Sequence, residues 1–352
     1  MNRLTAIGLA SLVAYGVLIA AKWGGAAITG EHGGEASGKA PAAALQAAPA
    51  SSVQALPKAQ LASFTRPTAA AKPMSGVAQE FRNTRDLRAF AEALLARRDS
   101  LSQEDRYFLA RALETCQFAL SMHDDLAASS DKARRQFIAT LPASDPNAAK
   151  RIAAYDAADD SARCVRFQGM SLSSKDIDEL YRQAAQAGEA KAQARLLVAE
   201  LNKGFTTPKD GETRAVAMDD FQRIIRLLET RDADAMVTVA QFLAQNRLIG
   251  ELRIGPSGEV PEPASLVGAF SLVACDFQPT CPSFDREALQ ACAYAGYCNS
   301  NSYEELYANF LASPWTYSMA MRYRGVIHTA IDTRNWGLLG LQKLVGAQAR
   351  PR

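Results

Sequence analysis

Leu180-Tyr-Arg-Gln-Ala-Ala-Gln-Ala-Gly-Glu-Ala-Lys-Ala-Gln-Ala-Arg-Leu-Leu-Val-Ala199 is the stretch from which the fold is read. Upstream, Ser174 stands before Asp176, Ile177, Leu180, Tyr181 and Ala184, an apolar stripe at helical spacing behind a helix-start residue. That helix stops near Gly188, and the next runs over 190–202 and ends at Gly204. Alanines on both sides let the two helices approach closely, and glycine turns the chain between them. An antiparallel helix pair is expected here.

The same reading extends outward in both directions. Phe81, Leu87, Phe90, Leu94 and Leu95 form one stripe. Ser102 with Asp105 opens a run carrying Tyr107, Phe108, Leu109, Ala112, Leu113 and Cys116. Shorter helices are expected near 131–140 and 146–158, then over 213–229, 232–246, 264–276, 285–295 and 303–312. Ser302 with Glu305 makes a capping box, and Ser313 followed by Pro314 starts a last helix. The Gly- and Pro-rich stretch from Gly250 to Pro263 is read as a loop or a short hairpin. No segment sustains the period-two alternation of a strand, so the fold class is all-α.

The opening window resembles the tetratricopeptide superfamily, in particular its Sel-one-like subclass. Ala184, Ala185, Gly188, Ala190, Ala192, Gln193 and Leu197 fill the places of that motif, with Gly204 where a second glycine is expected. A weaker echo runs from Phe221 to Leu243, with Asp232-Ala-Asp-Ala in place of the Gly-Glu-Ala turn. The resemblance covers about residues 175–245. It implies an α-solenoid-like stack of antiparallel helix pairs used for protein–protein contact, and it implies no catalysis.

The first eighty residues read differently. Leu4 to Ala21 are uncharged, between Arg3 and Lys22, and at 1.5 Å per residue they reach about 27 Å, close to a bilayer core. We expect a signal-anchor, a transmembrane helix over 1–23, with a cleaved signal peptide as the alternative because small residues stand at Ala20–Ala21 and Ala26–Ala27. From 24 to 78 the chain is rich in Ala, Gly, Pro and Ser, with Pro41, Pro49, Pro57, Pro67 and Pro73, and is read as a disordered tether. A helical repeat-like domain is expected over 79–250 and a Cys- and aromatic-rich helical part over 251–352.

Six cysteines, Cys116, Cys164, Cys275, Cys281, Cys292 and Cys298, all fall in the helical part. Behind an export segment an even number reads as disulfides, with zinc and free thiols as lesser alternatives. Four of them allow three connectivities. Local pairs, Cys275–Cys281 and Cys292–Cys298, are preferred, which leaves Cys116 with Cys164. Arginine outnumbers lysine 28 to 11, which with the alanine content points to a GC-rich bacterial genome. The expected location is the bacterial inner membrane, single-pass, with the bulk of the chain in the periplasm.

Motifs of known chemistry are missing from the sequence: no G-x-S-x-G, P-loop, H-E-x-x-H or strand-borne G-x-G-x-x-G. His123-Asp124-Asp125 is read as helix-end capping, and His328 as a packed helix residue. Asp156, Asp159 and Asp160, and likewise Asp232 and Asp234, are read as helix faces or caps. No catalytic residue, cofactor or metal is expected. Trp315, Tyr317, Arg322, Tyr323, Arg324 and Trp336 are candidate partner-binding residues, because aromatics and arginine dominate interface hot spots; the competing reading packs these rings into a helical layer.

At 352 residues, 48% hydrophobic, 22% charged and formally +2, the chain excludes a strongly basic nucleic-acid binder and an acidic disordered protein. A membrane-tethered, periplasm-facing scaffold or adaptor that holds a protein partner is the expected function. Two alternatives remain. One is a folding or assembly factor, resembling the lipase-specific foldases in layout but without their Arg-x-x-Phe-Asp-Tyr signature. The other is a cell-wall-acting hydrolytic enzyme.

Overall fold

Apolar stripes at helical spacing, each introduced by a capping residue, become helices throughout. The computed structural model describes residues 74–206, 218–245, 252–278, 281–300 and 302–341. Among them lie fourteen α-helices and no strand. They are α1 (Gly76–Asn83), α2 (Leu87–Leu95), α3 (Gln103–Met122), α4 (Leu126–Thr140), α5 (Ala148–Ala158), α6 (Asp160–Cys164) and α7 (Ser174–Gln186). The remaining seven are α8 (Ala190–Thr206), α9 (Met218–Glu229), α10 (Ala233–Gln245), α11 (Pro263–Phe277), α12 (Pro282–Ala295), α13 (Tyr303–Leu306) and α14 (Pro314–Thr333). The expected membrane segment and all but the end of the tether lie outside the described residues. None of the described helices is long and apolar enough to cross a membrane.

Local signals account for the boundaries. Ser102 and Asp105 form a reciprocal capping box at the start of α3, and Ser313 caps α14 ahead of Pro314. Three boundaries differ from expectation. Helix α1 begins at Gly76, capped by Ser75, so the last residues assigned to the tether are helical. Ser173 rather than Ser174 caps α7 through the Asp176 amide. Helix α8 continues through Gly204 to Thr206, since a glycine inside a helix weakens it without ending it. The 250–263 loop holds an antiparallel bridge between Ile254 and Glu259, turned by Gly255 and Gly258, both at positive φ.

The two hairpin turns in the middle of the chain are built alike. Gly188 (φ 96°) precedes Glu189 at the start of α8, and Arg231 (φ 56°) precedes Asp232 at the start of α10. A left-handed residue thus closes one helix, and an acidic residue caps the next: Glu189 accepts from the Lys191 amide and Asp232 from the Ala235 amide. Glycine adopts that backbone freely, whereas arginine does so at a cost.

Packing runs as a series: α3 against α7, α7 against α8, α8 against α10, α10 against α11, and α11 against α14. One apolar core cluster fills the central and C-terminal elements from Ala194 to Leu341, including Leu197, Phe221, Met236, Phe270 and Tyr323. It passes without a break across residue 250. A second cluster holds α1 to α3 around Leu87, Phe90 and Leu109. Helix α12 leaves the series and packs back on α5, with Phe137, Ala154, Cys292 and Ala293 buried between them and α4. All the described residues belong to one compact unit.

Disulfides join Cys116 to Cys164, Cys275 to Cys281, and Cys292 to Cys298. The first ties α3 to the end of α6 across 48 residues, and each of the others spans six. In the chain-entropy account the long loop contributes about 4 kcal/mol and each short one about 2. Cys116→Ser with Cys164→Ser should therefore lower the denaturant midpoint more than Cys292→Ser with Cys298→Ser, measured by circular dichroism on each double variant.

Gly268 in α11 faces Tyr307, and a Cβ there would overlap the phenol oxygen and ring. A rigid ring cannot yield as a flexible side chain can, so Gly268→Ala should cost about 1–3 kcal/mol. Gly76→Ala, with open space around it, should leave the melting temperature near that of the parent protein.

Candidate functional site

The six C-terminal residues nominated from sequence do not share one surface. Trp315 is 59% exposed, and Arg322 is exposed, pairing with Glu259 and lying over the Tyr323 ring. Tyr317 is half-buried and donates its hydroxyl to Glu304. Tyr323, Arg324 and Trp336 are buried in the core, so they are removed from any docking surface. Tyr323 and Arg324 look inward because their side of α14, shared with Ile327 and Ile331, packs on α11, and Trp336 joins the same core from the turn after that helix.

Arg324 has a structural task. Its guanidinium grips Asp276 with two hydrogen bonds of 2.8 and 2.5 Å, and it reaches Glu304 at 2.7 Å. His328 donates from Nε2 to the same Asp276 at 2.8 Å. Burial works against the Asp276 charge, but the His328 and Arg324 hydrogen bonds outweigh it and hold its carboxyl below the usual range. This network locks α11 to α14.

The other sequence candidates are also accounted for. His123 ends α3 and Asp125 caps α4 through the Ala128 amide. Arg134 grips Asp156 with two bonds, Asp159 caps α6, and Asp160 pairs with Arg163 and Arg286. Asp232 caps α10.

Asp234 is different. A cluster of charged side chains gathers around Lys191, contributed by α3 and by the turns that open α8 and α10. Lys191 lies in it, 11% exposed, held by Glu104 at 3.1 Å, Glu189 at 2.9 Å and Asp232 at 3.5 Å. Burial alone would depress that ammonium, but the Asp232, Glu189 and Glu104 carboxylates outweigh it and raise its pKa. Arg82 pairs with Asp285 at 2.9 Å. Glu114 is taken by Arg195 and, at 2.8 Å, by the Tyr181 hydroxyl.

Three further groups are less tightly held. The Asp234 carboxylate has no hydrogen bond or ion pair among the described residues. The Arg111 guanidinium, 46% exposed, makes no hydrogen bond there and approaches Glu114 no closer than 3.6 Å. The Tyr107 hydroxyl also lacks a partner there, although its ring packs against Tyr181 at 5.9 Å and under Lys191 at 5.7 Å. The three feel one another electrostatically: Arg111 and Asp234 both act on Tyr107, and Arg111 acts on Asp234. Burial and the Asp232 charge push the Asp234 carboxyl up to about 6, against the pull of Lys191, Arg82 and Arg111. Arg111 is exposed and Tyr107 and Asp234 are half-buried, so water can stand in for a protein partner at each.

The sequence showed Asp234 as half of an acidic pair and Tyr107 as part of an apolar stripe, and it passed over Arg111. No protein-family model, curated protein or solved structure matches the chain.

Glu287 on α12 is a second unsatisfied acid. Its Oε2 is buried without a partner, and burial lifts its carboxyl to about 7, against a Tyr303 hydrogen bond that pulls the other way. A folded pKa raised above the unfolded value of 4.5 means that the folded state holds this proton more tightly. Stability from this group is full below about pH 4.5 and is lost as pH rises through about 7. Glu287→Gln should therefore raise the unfolding free energy at pH 8 by on the order of 2–3 kcal/mol and flatten its profile between pH 5 and 8. Urea titrations across that range read the effect.

Proposed function

We propose that this chain is a helical interaction module that holds a protein partner, tethered to the bacterial inner membrane by its N-terminal segment and facing the periplasm. The observation that carries this reading is a surface on α14 and the loop before α11. Trp315 and Val260 are exposed there, and Glu259, next to Val260, pairs with Arg322 two turns along from Trp315. The half-buried Met319 lies on the same helical edge, its sulfur 3.4 Å from the Arg322 guanidinium. A large exposed ring beside an arginine and apolar neighbours is the composition of an interface hot spot.

The packing of α7 with α8 and of α9 with α10, each pair joined by a three-residue turn, supports a solenoid-like stack of antiparallel helix pairs. The tetratricopeptide-like motif over 175–245 is the sequence counterpart. Three disulfides fit an oxidising compartment.

Affinity purification of the tagged full-length protein from detergent-solubilised membranes tests the reading. A defined partner should co-purify, and Trp315→Ala with Arg322→Ala should reduce its recovery about tenfold or more. Met122→Ala, exposed on α3, should leave recovery unchanged. Equal recovery with the double variant sinks the assignment to this surface.

A further inference from the structure

The three disulfides are not equally open to attack. Cys116 and Cys164 are both fully buried, inside the cluster that holds α1 to α3. Each short pair joins a buried cysteine to one that is only partly buried, Cys281 to Cys275 and Cys292 to Cys298. Both short pairs end on α12, at Cys281 on its N-terminal boundary and at Cys292 in its last turn. Without them that helix is held chiefly by α5, through the Arg151 bonds to the Ala293 and Tyr294 carbonyls and through the Phe137 cluster. It is also seated against a cost, because the Glu287 Oε2 is shut in with no partner.

We propose that α12 is a redox-operated clasp: a dithiol reductant opens Cys275–Cys281 and Cys292–Cys298, leaves Cys116–Cys164 closed, and so releases α12 from α5 while the other helices stay folded. A thiolate of the reductant attacks the Cys298 Sγ, forming a mixed disulfide and expelling Cys292 as its thiolate. The reductant's second thiol then displaces Cys298 and closes its own disulfide, so two electrons and two protons pass from the dithiol to the pair. The same exchange at Cys275 expels Cys281. Access selects these pairs, since the incoming thiolate must reach a sulfur and the sealed Cys116 and Cys164 deny it. Opening both pairs frees one end of α12 from α11 and the other from its exit turn at Gly296. Release then uncovers Phe137 and Ala154, which α12 helps to bury. The Cys116–Cys164 bond keeps α3 joined to α6 throughout. This device is independent of the Trp315 surface, to which α12 contributes no residue.

Timed exposure of the full-length protein in detergent to dithiothreitol, with alkylation of the new thiols and peptide mass spectrometry, tests the order of opening. Cys275, Cys281, Cys292 and Cys298 should be labelled about tenfold or more faster than Cys116 and Cys164. Hydrogen exchange on the protein with only the short pairs open tests the release. Amides of 285–295 should then exchange about tenfold or more faster than in the oxidised protein, because two loop closures no longer restrain the opened helix. Those of α3 and α10 should hold their rates. Reoxidation should restore slow exchange, and Cys292→Ser with Cys298→Ser should reproduce part of the acceleration without any reductant. Comparing the parent protein before and after reduction keeps the result separate from a folding defect in a variant. Labelling of Cys116 and Cys164 as fast as the other four overturns the selectivity. Unchanged exchange in α12 once the short pairs are open overturns the release.

Discussion

Arg151 on α5 makes the contact on which the rest of the arrangement depends. Its guanidinium donates to the Ala293 and Tyr294 carbonyls at the end of α12, at 2.8 and 3.2 Å, while Asp145 holds it from behind at 2.6 Å. The last carbonyls of a helix have no partner within the helix and carry its negative end. Arg151 supplies hydrogen bonds and positive charge together, from a residue more than 140 positions away in the chain. Phe137, stacked on Tyr155 with Tyr294 edge-on to both, seals the same junction. Without this closure a series of helices in nearest-neighbour contact would have no reason to bring α1 and α6 to α12. Once it is made, Arg82 meets Asp285 and Asp160 meets Arg286.

The two short disulfides serve that closure. Cys281 stands at the N-terminal boundary of α12 and Cys292 within its last turn, bonded to Cys275 on α11 and to Cys298 just beyond the helix. Both ends of the returning helix are thereby restrained, one to the C-terminal core and one to its own exit. Cys292 and Cys298 also flank the Arg151 contact in the cluster shared with Phe137 and Ala154. The covalent and the ionic restraints therefore act on one element, which otherwise has few core partners in the helical series.

Much of the local architecture was legible in the sequence. Ser102 with Asp105, Ser302 with Glu305, and Ser313 with Pro314 mark helix starts through backbone chemistry that acts within four residues. The disulfide pairs were legible for a similar reason, because six-residue spacings at a helix end leave little freedom. What failed was the distinction between a buried and an exposed face. Trp315 and Arg322 lie outward on the helix that carries Tyr323 and Arg324 inward, and composition treats all four alike. Arg324 reads as a surface cation until Asp276, 48 positions earlier, is placed beside it. The charge cluster around Lys191 was illegible for the same physical reason, since Glu104 and Asp232 come from elements far apart in the chain.

Asp234 and Glu287 show how two similar pKa shifts acquire different meanings. Both carboxyls are lifted chiefly by burial. Glu287 has a shielded, unpartnered oxygen and Tyr303 as its neighbour, with no cation acting on it, so its proton is the economical way to remain inside. That is a stability term. Asp234 sits in the first turn of α10, where the helix dipole favours an anion, and Lys191, Arg82 and Arg111 all favour its charge as well. Its pKa is raised nonetheless, because Lys191 and Arg82 are spent on other carboxylates and Arg111 stays out of hydrogen-bonding reach. A fold that needed only to neutralise Asp234 could have turned one of these three cations onto it. The Asp234 carboxylate is not shut away from water as the Glu287 Oε2 is, so its charge can be solvated where that of Glu287 cannot.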